Sequence, residues 1–403
     1  MMKGSVTMSL MDTPRANRLH IGLYGKRNSG KSSLINALTG QEIALVSDQA
    51  GTTTDPVYKS MEIHGIGPCI FIDTAGFDDI GLLGEMRVEK TKEAAQKTDI
   101  ALIIFTDEDL TEELEWISYF KAQKTPFIPI INKIDTLTNL EILQDKIKAL
   151  SEEAPVLVSA KTKEGIATIR EAIIRLLPED YEVKSITGPL AQPGDLVLLV
   201  MPQDIQAPKG RLILPQVQTL RDLLDKKCLV MSCTTDQLDA TLQVLSKAPD
   251  LIITDSQVFK TVYDKKPPHS KLTSFSVLFA GHKGDAKVFK EGAYAIHHLT
   301  ENSRVLIAEA CTHAPLSEDI GREKLPRLLR QKVGANLTID FTSGPHFPSN
   351  LTDYDLILHC GACMFNRKYV LSRIATAKAH HVPISNYGMA IAYLSGILED
   401  IDL

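Results

Sequence analysis

The chain has 403 residues, of which 44% are hydrophobic and 23% charged, and its formal net charge at pH 7 is -6. This length and composition predict a globular protein of about two or three domains, and the acidic balance disfavours a nucleic-acid surface. No stretch approaches the roughly 20 apolar residues of a membrane span, and the first residues do not resemble a signal peptide. We therefore expect a cytoplasmic protein that binds neither nucleic acid nor membrane.

Strand-like apolar runs alternate with amphipathic helical stretches along almost the whole chain. This pattern is typical of parallel sheets covered by helices and predicts an α/β fold, with mainly parallel sheets throughout. The first block begins near His20 and ends in a predicted helix at 165–177, before a linker rich in proline and glycine. We predict a first domain over residues 1–178.

A complete P-loop motif, Gly25-Lys-Arg-Asn-Ser-Gly-Lys-Ser32, follows the first predicted strand. The backbone amides of such a loop and the N-terminus of the next helix bind phosphate groups. We expect Lys31 to reach the β and γ phosphates of a nucleotide and Ser32 to bind Mg²⁺. The nucleotide contacts predicted in this segment are Asn28, Ser29, Gly30, Lys31, Ser32 and Ser33.

Asp73-Thr-Ala-Gly76 follows an apolar run, as a Walker-B motif does. It predicts that Asp73 lies near Mg²⁺ and that the Gly76 amide faces the γ-phosphate.

Two further motifs predict a guanine pocket. One motif is Asn132-Lys133-Ile-Asp135. Its Asp135 carboxylate can accept two hydrogen bonds from guanine that adenine cannot donate, which would favour guanine over adenine by roughly 10⁴-fold. Ser159-Ala160-Lys161 is expected to complete the pocket, with the Ala160 amide donating to guanine O6. The predicted ligand is therefore GTP.

A polar segment at 47–55 contains Thr52 and Thr53, which could complete the Mg²⁺ coordination. It resembles switch I of the TrmE-Era GTPases, and this resemblance implies that Thr53 binds Mg²⁺ and that Asn28 holds a K⁺ ion. Alternatively, Asn28 only shapes the turn. Phe77 stands where Ras-like proteins carry a water-orienting glutamine. We therefore expect slow, K⁺-stimulated hydrolysis, with catalysis depending on Lys31, Thr53, Asp73 and Gly76.

Two smaller α/β domains are predicted after the linker, over 190–264 and 268–403. The first has strand candidates at 196–201, 228–232 and 251–254 and helix candidates at 215–226 and 236–247. The second has strand candidates near 275–280, 304–308, 337–341, 355–359 and 382–385.

Three of the six cysteines lie in the last block, as Cys311-Thr-His313 and His359-Cys360-Gly-Ala-Cys363. Each group follows a strand-like run, and loops at the carboxyl ends of parallel strands can meet at one centre. The spacing is equally consistent with a Cys₃His zinc site and with an iron–sulfur cluster. A redox pair and buried structural cysteines are the other interpretations. Cys69, Cys228 and Cys233 are expected in the core.

A P-loop GTPase followed by Cys-x-His and His-Cys-x-x-Cys resembles the HydF family of hydrogenase maturation GTPases. The segments 193–197 and 207–216 are also similar to that family, and the likeness covers nearly the whole chain. The resemblance implies a homodimer formed through the middle block. It also implies a 4Fe-4S cluster bound by Cys311, Cys360 and Cys363, with His313 and His359 as candidates near a labile fourth iron.

The same resemblance implies an iron–sulfur scaffold or carrier. Such a protein receives a di-iron precursor from radical-SAM maturases and delivers it to apo-hydrogenase. An alternative is a GTPase of ribosome or tRNA maturation with a zinc-stabilised C-terminal module, which the acidic charge disfavours. A third hypothesis is a nucleotide-dependent interaction switch with inert cysteines.

Overall fold

The computed structural model describes residues 18–39, 56–63, 67–74, 82–177, 185–203, 212–309, 320–344, 347–348, 350–362 and 365–403. The chain divides into two compact units, Met1–Tyr181 and Glu182–Leu403. Both consist of sheets covered by helices, so the predicted α/β fold is confirmed. No helix within these ranges is both long and apolar enough to cross a bilayer.

The first unit is built on one sheet. Its strands are β1 (Leu19–Tyr24), β2 (Val57–Ile63), β3 (Gly67–Asp73), β4 (Ile100–Phe105), β5 (Phe127–Ile131) and β6 (Val156–Leu157), in the order β2-β3-β1-β4-β5-β6. Among these strands, β2 pairs antiparallel with β3, and the other neighbours pair parallel. β1 and β4 are buried along their whole length, which explains why both are almost entirely apolar.

Helices cover this sheet and position its loops. They are α1 (Lys31–Thr39), α2 (Leu82–Ala95), α3 (Thr111–Ala122), α4 (Leu140–Ser151) and α5 (Ile166–Leu176). The rings of Trp116 and Phe120 in α3 pack on Tyr24, with centroids 5.1 and 4.8 Å away. This contact supports the end of β1, where the P-loop begins. Cys69 is fully buried in β3, so its predicted core position is confirmed.

The second unit begins with a parallel sheet of β7 (Leu196–Val200), β8 (Leu229–Cys233), β9 (Leu251–Thr254) and β10 (Lys271–Ser274), in the order β10-β9-β7-β8. The helices of this segment are α6 (Leu214–Asp225), α7 (Leu238–Val244) and α8 (Phe259–Lys265). β10 pairs with β9 although it lies beyond the predicted domain limit at 264. This pairing favours a later boundary, and the three domain limits stay predictions.

The strand predicted at 275–280 is wrong, because this segment is the helix α9 (Phe275–Lys283). Its N-cap Ser274 accepts a hydrogen bond from the Val277 amide at 3.2 Å. Phe275 and Phe279 are both buried, so this face of the helix is apolar with no polar interruption. A short, continuously apolar run cannot be assigned to strand or helix by periodicity alone.

A second parallel sheet completes this unit. It contains β11 (Arg304–Glu309), β12 (Thr338–Ser343), β13 (Leu356–His359) and β14 (Ile384–Asn386), in the order β12-β11-β13-β14. Its helices are α10 (Ala286–Tyr294), α11 (Leu325–Val333), α12 (Arg367–Ala379) and α13 (Tyr387–Leu394). The chain leaves β11 for β12 on one side and then returns to β13 on the other. The crevice between β11 and β13 is therefore a topological switch point, the usual ligand position in such sheets.

The two sheets of the second unit share a hydrophobic core. One buried cluster extends from Leu198 in β7 through Phe289 in α10 to Leu306 in β11. Cys228 is buried as predicted, and Cys233 is partly buried against this cluster. The segment that carries Cys360 packs on the same cluster.

Candidate nucleotide site and cysteine centre

The P-loop encloses the side chain of Lys31. The Lys31 ammonium is 7% exposed and donates hydrogen bonds to the carbonyl oxygens of Gly25 and Lys26, both at 2.8 Å. The loop is therefore curled around a cation at the N-terminus of α1, where the helix dipole also favours an anion. This is a phosphate-binding geometry.

Two residues of the loop have left-handed backbone conformations. Asn28 has φ 58° and Gly30 has φ 88°. Asparagine tolerates this region better than most residues with a Cβ atom. Gly30 has a second constraint, since a Cβ atom there would collide with Nδ2 of Asn132. The close approach of the Asn132 side chain thus requires glycine.

Ser32 and Asp73, both predicted near Mg²⁺, lie next to each other. The Ser32 hydroxyl donates to Oδ2 of Asp73 at 2.6 Å. Burial raises the pKa of Asp73, while the Ser32 hydrogen bond and the Lys31 charge oppose this effect. A hydroxyl and a carboxylate are oxygen ligands of the kind that Mg²⁺ prefers, so these residues fit the ion. Thr52, Thr53 and Gly76 lie outside the described residues.

The guanine motifs are joined to the P-loop by Asn132. Its Nδ2 donates to the Ser29 carbonyl at 2.8 Å, and its Oδ1 accepts from the Ala160 amide at 3.1 Å. The Ser159 hydroxyl donates to Oδ1 of Asp135 at 2.7 Å, which orients the carboxylate. The structure thus brings the phosphate loop and the base pocket together. The side chains of Lys133 and Lys161, from the same motifs, are exposed.

A charged cluster beside the P-loop was not predicted from the sequence. Lys26 Nζ donates to Oδ1 of Asp107 at 2.8 Å and to the carbonyl of Asp109 at 2.5 Å. Glu113 in α3 is 2% exposed, and burial raises its pKa to about 7. The signal that could have found Glu113 is its spacing, since it precedes the buried Trp116 by three residues and shares that face of α3, whereas Glu115 is exposed.

Of the predicted cysteine centre, the structure describes Cys360, which lies at the switch point of the sheet β12-β11-β13-β14. β13 ends at His359, immediately before Cys360, and its neighbour β11 ends at Glu309, two residues before Cys311. Cys311, His313 and Cys363 lie outside the described residues. Among the residues that are described, no group of three or more His, Cys, Asp or Glu side chains is placed to hold a metal ion. The three-cysteine centre therefore stays a prediction.

His359 is 1% exposed and has a partner at each ring nitrogen. Nδ1 lies 2.6 Å from the Cys360 carbonyl oxygen, and Nε2 lies 3.0 Å from Nη1 of Arg373. A guanidinium only donates, so Nε2 accepts and the proton resides on Nδ1, which donates to Cys360. Burial, with the Arg373 charge beside the ring, lowers the pKa of His359 to about 3.

Two buried cations contact residues on either side of Cys360: Arg373 contacts His359, and Lys283 contacts Ala362. Arg373 in α12 is 1% exposed, stacks on Tyr369 at 4.6 Å and donates to the Gly344 carbonyl at 2.8 Å. Lys283, at the end of α9, is 2% exposed and donates to the carbonyls of Ala362 and Phe365 at 3.1 and 2.8 Å. No motif in the sequence marks either residue, because Arg373 is 14 positions from His359 in the next helix and Lys283 is 79 positions from Ala362, and only packing brings them here.

An ion pair lies at the adjacent strand ends. Arg322 donates from Nε and Nη2 to the Glu309 carboxylate, at 3.2 and 2.8 Å, and from Nη2 to the Ser343 hydroxyl at 3.0 Å. These contacts join the carboxyl ends of β11 and β12. The strand ends beside Cys360 thus carry a charged pair.

Comparison with known proteins gives three family matches, each to a different segment of the chain. The family models for the hydrogen maturase F dimerization and tetramerization domains match residues 186–284 and 287–401. A model described as 50S ribosome-binding GTPase matches residues 20–133.

Similarity to individual proteins is partial. The tRNA modification GTPase MnmE of Chromobacterium violaceum is 34% identical over 164 residues, which are 40% of this chain and 35% of that protein. GTPase Der of Wolinella succinogenes is 34% identical over 172 residues, 40% of this chain and 36% of that protein. The chain thus spans about a third of the length of these curated relatives. A crystal structure of Era with MgGDPNP and a 16S ribosomal RNA fragment is 20% identical, covers 56% of this chain and 97% of that one, and has a TM-score of 0.36.

The P-loop geometry, the joined guanine motifs and the three family matches agree with one another. Both domains that follow the GTPase segment match hydrogen maturase F over almost their whole length. The chain belongs to the HydF family of hydrogenase maturases and carries a TrmE-Era-like GTPase domain at its N-terminal end.

Proposed function

We propose that this protein hydrolyses GTP to GDP and phosphate and uses this reaction as a switch on an iron–sulfur scaffold. The observation that carries the GTPase part is the Asn132 side chain, which bonds the P-loop carbonyl of Ser29 and the amide of Ala160 at once. It couples the phosphate and base sites in one rigid arrangement. The proposal for the scaffold rests on the family match and on the position of Cys360.

The residues of the P-loop have distinct roles in this reaction. Lys31 exchanges its carbonyl partners for the β and γ phosphate oxygens, and the loop amides bind the same oxygens. Ser32 and Asp73 would hold Mg²⁺, which neutralises charge that develops on the phosphates. Asp135, held by Ser159, selects guanine.

Hydrolysis is slow, and K⁺ bound by Asn28 stimulates it. The backbone of Asn28 is left-handed, a conformation that glycine adopts without strain. Asn28→Gly therefore removes the side-chain oxygen while it preserves the loop. We expect wild-type protein to hydrolyse GTP faster in KCl than in NaCl, and this difference to vanish in the variant with little change in GTP affinity. A variant that keeps its K⁺ stimulation would assign Asn28 to turn formation alone.

Cys311, Cys360 and Cys363 would hold a 4Fe-4S cluster. The residues fit a cluster, because the Cys360 thiol is partly buried directly after the end of β13 and the chain reaches Cys311 two residues beyond the end of the adjacent strand. The test is analysis of iron, sulfide and zinc after anaerobic reconstitution, with an electron paramagnetic resonance spectrum of the reduced protein. Iron with sulfide supports the scaffold, and Cys360→Ser should abolish or weaken the signal. Stoichiometric zinc would favour the alternative maturation GTPase.

The substrate of the scaffold is a di-iron precursor, received from radical-SAM maturases and delivered to apo-hydrogenase. The HydF domain matches support this assignment. Purified protein loaded by co-expressed maturases should activate apo-hydrogenase in vitro, and the Cys360→Ser variant should not. Equal activation by the two proteins would contradict a role of the cysteine centre in delivery.

The middle domain forms a homodimer along the strand β8. This strand lies at one edge of its sheet, and Leu229 and Met231 on it are 61% and 39% exposed. An apolar edge strand is a template for pairing with another chain. The match to a dimerization domain supports this surface, and the tetramerization domain supports further association.

A further inference from the structure

We propose that Arg373 and Lys283 are positioning residues of the cysteine centre. His359 supports the segment that begins at Cys360, here called the cysteine turn, and neither ring nitrogen of His359 binds iron. The inference rests on the proposed function of Cys360 and Cys363 as metal ligands. It concerns three buried side chains next to Cys360, those of Arg373, Lys283 and His359, to which the family match assigns no role.

His359 uses both of its ring nitrogens in hydrogen bonds. Nε2 accepts from Arg373 and Nδ1 donates to the Cys360 carbonyl, so neither nitrogen offers a lone pair to a metal. Binding iron through Nε2 would break the hydrogen bond to a buried guanidinium, which is costly. Binding through Nδ1 would break the contact that fixes the Cys360 carbonyl. The His359 ring therefore fixes the orientation of the Cys360 carbonyl.

Lys283 holds a strained backbone next to Cys363. Ala362, the residue before Cys363, has φ 47°, a left-handed conformation that a residue with a Cβ atom adopts only when its surroundings hold it. The Lys283 ammonium bonds the carbonyl oxygens of Ala362 and Phe365, on either side of Cys363 in the sequence. Lys283 thus supplies the contact that holds the strained backbone.

Both cations project from helices. The Arg373 guanidinium, on α12, lies over the rings of Tyr369 and Phe347 at 4.6 and 4.8 Å and also donates to the Gly344 carbonyl. Lys283 ends α9, which packs against α12. Side chains from two helices therefore hold His359, which precedes Cys360, and the residues that flank Cys363. Outer residues that orient metal ligands in this way typically change metal affinity by about 10- to 100-fold when they are replaced.

The experiment compares variants of the full chain after anaerobic reconstitution. Arg373→Met and Lys283→Met remove the two positioning residues. His359→Gln keeps an oxygen that can accept from Arg373 and an amide that can donate to Cys360. Lys378→Met is the matched control, since it removes one positive charge from an exposed position of the same helix as Arg373. Circular dichroism and gel filtration establish that each variant is folded.

Two readouts decide the inference. The chelator concentration that removes half of the iron should fall about 10- to 100-fold in Arg373→Met and Lys283→Met and should stay unchanged in Lys378→Met. His359→Gln should retain its iron within about twofold. The hyperfine spectrum of the cluster should contain no nitrogen coupling from His359, which labelling with ¹⁵N-histidine would reveal. Normal iron retention in both methionine variants would overturn the inference. A nitrogen coupling that His359→Gln removes would overturn it as well.

Failure of the proposed function is distinguishable from failure of this inference. Wild-type protein that takes up no iron would contradict the scaffold, and the inference is then decided on the metal-free protein. The alkylation rate of Cys360, followed by mass spectrometry, should rise severalfold in Lys283→Met relative to wild type and Lys378→Met. Equal rates would refute the positioning role. If Arg373→Met does not fold, Lys283→Met and His359→Gln carry the decision.

Discussion

Replacing Glu113 with glutamine should stabilise the GTPase unit at alkaline pH. Glu113 lies in the first turn of α3 and is 2% exposed, and its Oε2 has no hydrogen-bond partner among the described residues. Burial disfavours the ionised carboxylate and raises the pKa of Glu113 from 4.5 to about 7, although the nearby Lys26 charge opposes this. Glutamine has a similar shape and does not ionise.

The size of the effect follows from the pKa of Glu113 in the two states. Because the folded carboxyl binds its proton more tightly than the unfolded one, ionisation of this group makes the folded state less stable as pH rises from 4.5 through about 7. The cost is about 1 kcal/mol at pH 5 and about 3 kcal/mol at pH 8. The stability advantage of Glu113→Gln over wild type should therefore grow by about 2 kcal/mol between pH 5 and pH 8.

The single tryptophan of the chain makes this measurable. Trp116 is 7% exposed and lies on the same helix as Glu113, so its fluorescence reports unfolding of this unit. A gain of about 2 kcal/mol corresponds to a shift of about 1 M in the urea midpoint. Glu115→Gln makes the same charge change at an exposed position of α3 and is the control. Parallel pH profiles for the two variants would refute the reasoning.

Three further predictions concern the nucleotide site and the dimer. Gly30→Ala should weaken binding of a fluorescent GTP analogue about 10-fold or more, because the new Cβ atom would meet Asn132 and the backbone is left-handed; an unchanged affinity would contradict this. Asp135→Asn should lower GTP affinity by at least about 100-fold in calorimetry and improve binding of xanthosine triphosphate, and equal GTP affinity would exclude Asp135 from the base pocket. Leu229→Lys should convert the dimer to a monomer in sedimentation, whereas Val244→Lys, at a residue 75% exposed on α7, should not; a dimer in both variants would remove β8 from the interface.

The strands were predictable where the local pattern was unambiguous. β7 (Leu196–Val200) and β11 (Arg304–Glu309) lie within one residue of the predicted runs, because buried parallel strands are short apolar segments between polar turns. The same rule failed at Phe275–Lys283, where the apolar run is a helix. Here Ser274 caps the helix and packing on both sides removes the polar face that would have shown a period of 3.6.

The nucleotide motifs could be read from the chain because each is a short segment whose function depends on its own backbone and a few fixed side chains. The sequence by itself therefore determined the P-loop, the identity of the base and the family resemblance. Only the tertiary structure decided that Asn132 joins the P-loop to the base pocket by two hydrogen bonds. It also decided that Lys283 and Arg373 bond Ala362 and His359, on either side of Cys360. Those contacts join residues 14 to 103 positions apart in the chain. Packing of helices on sheets brings such residues together, and it leaves no local pattern in the sequence.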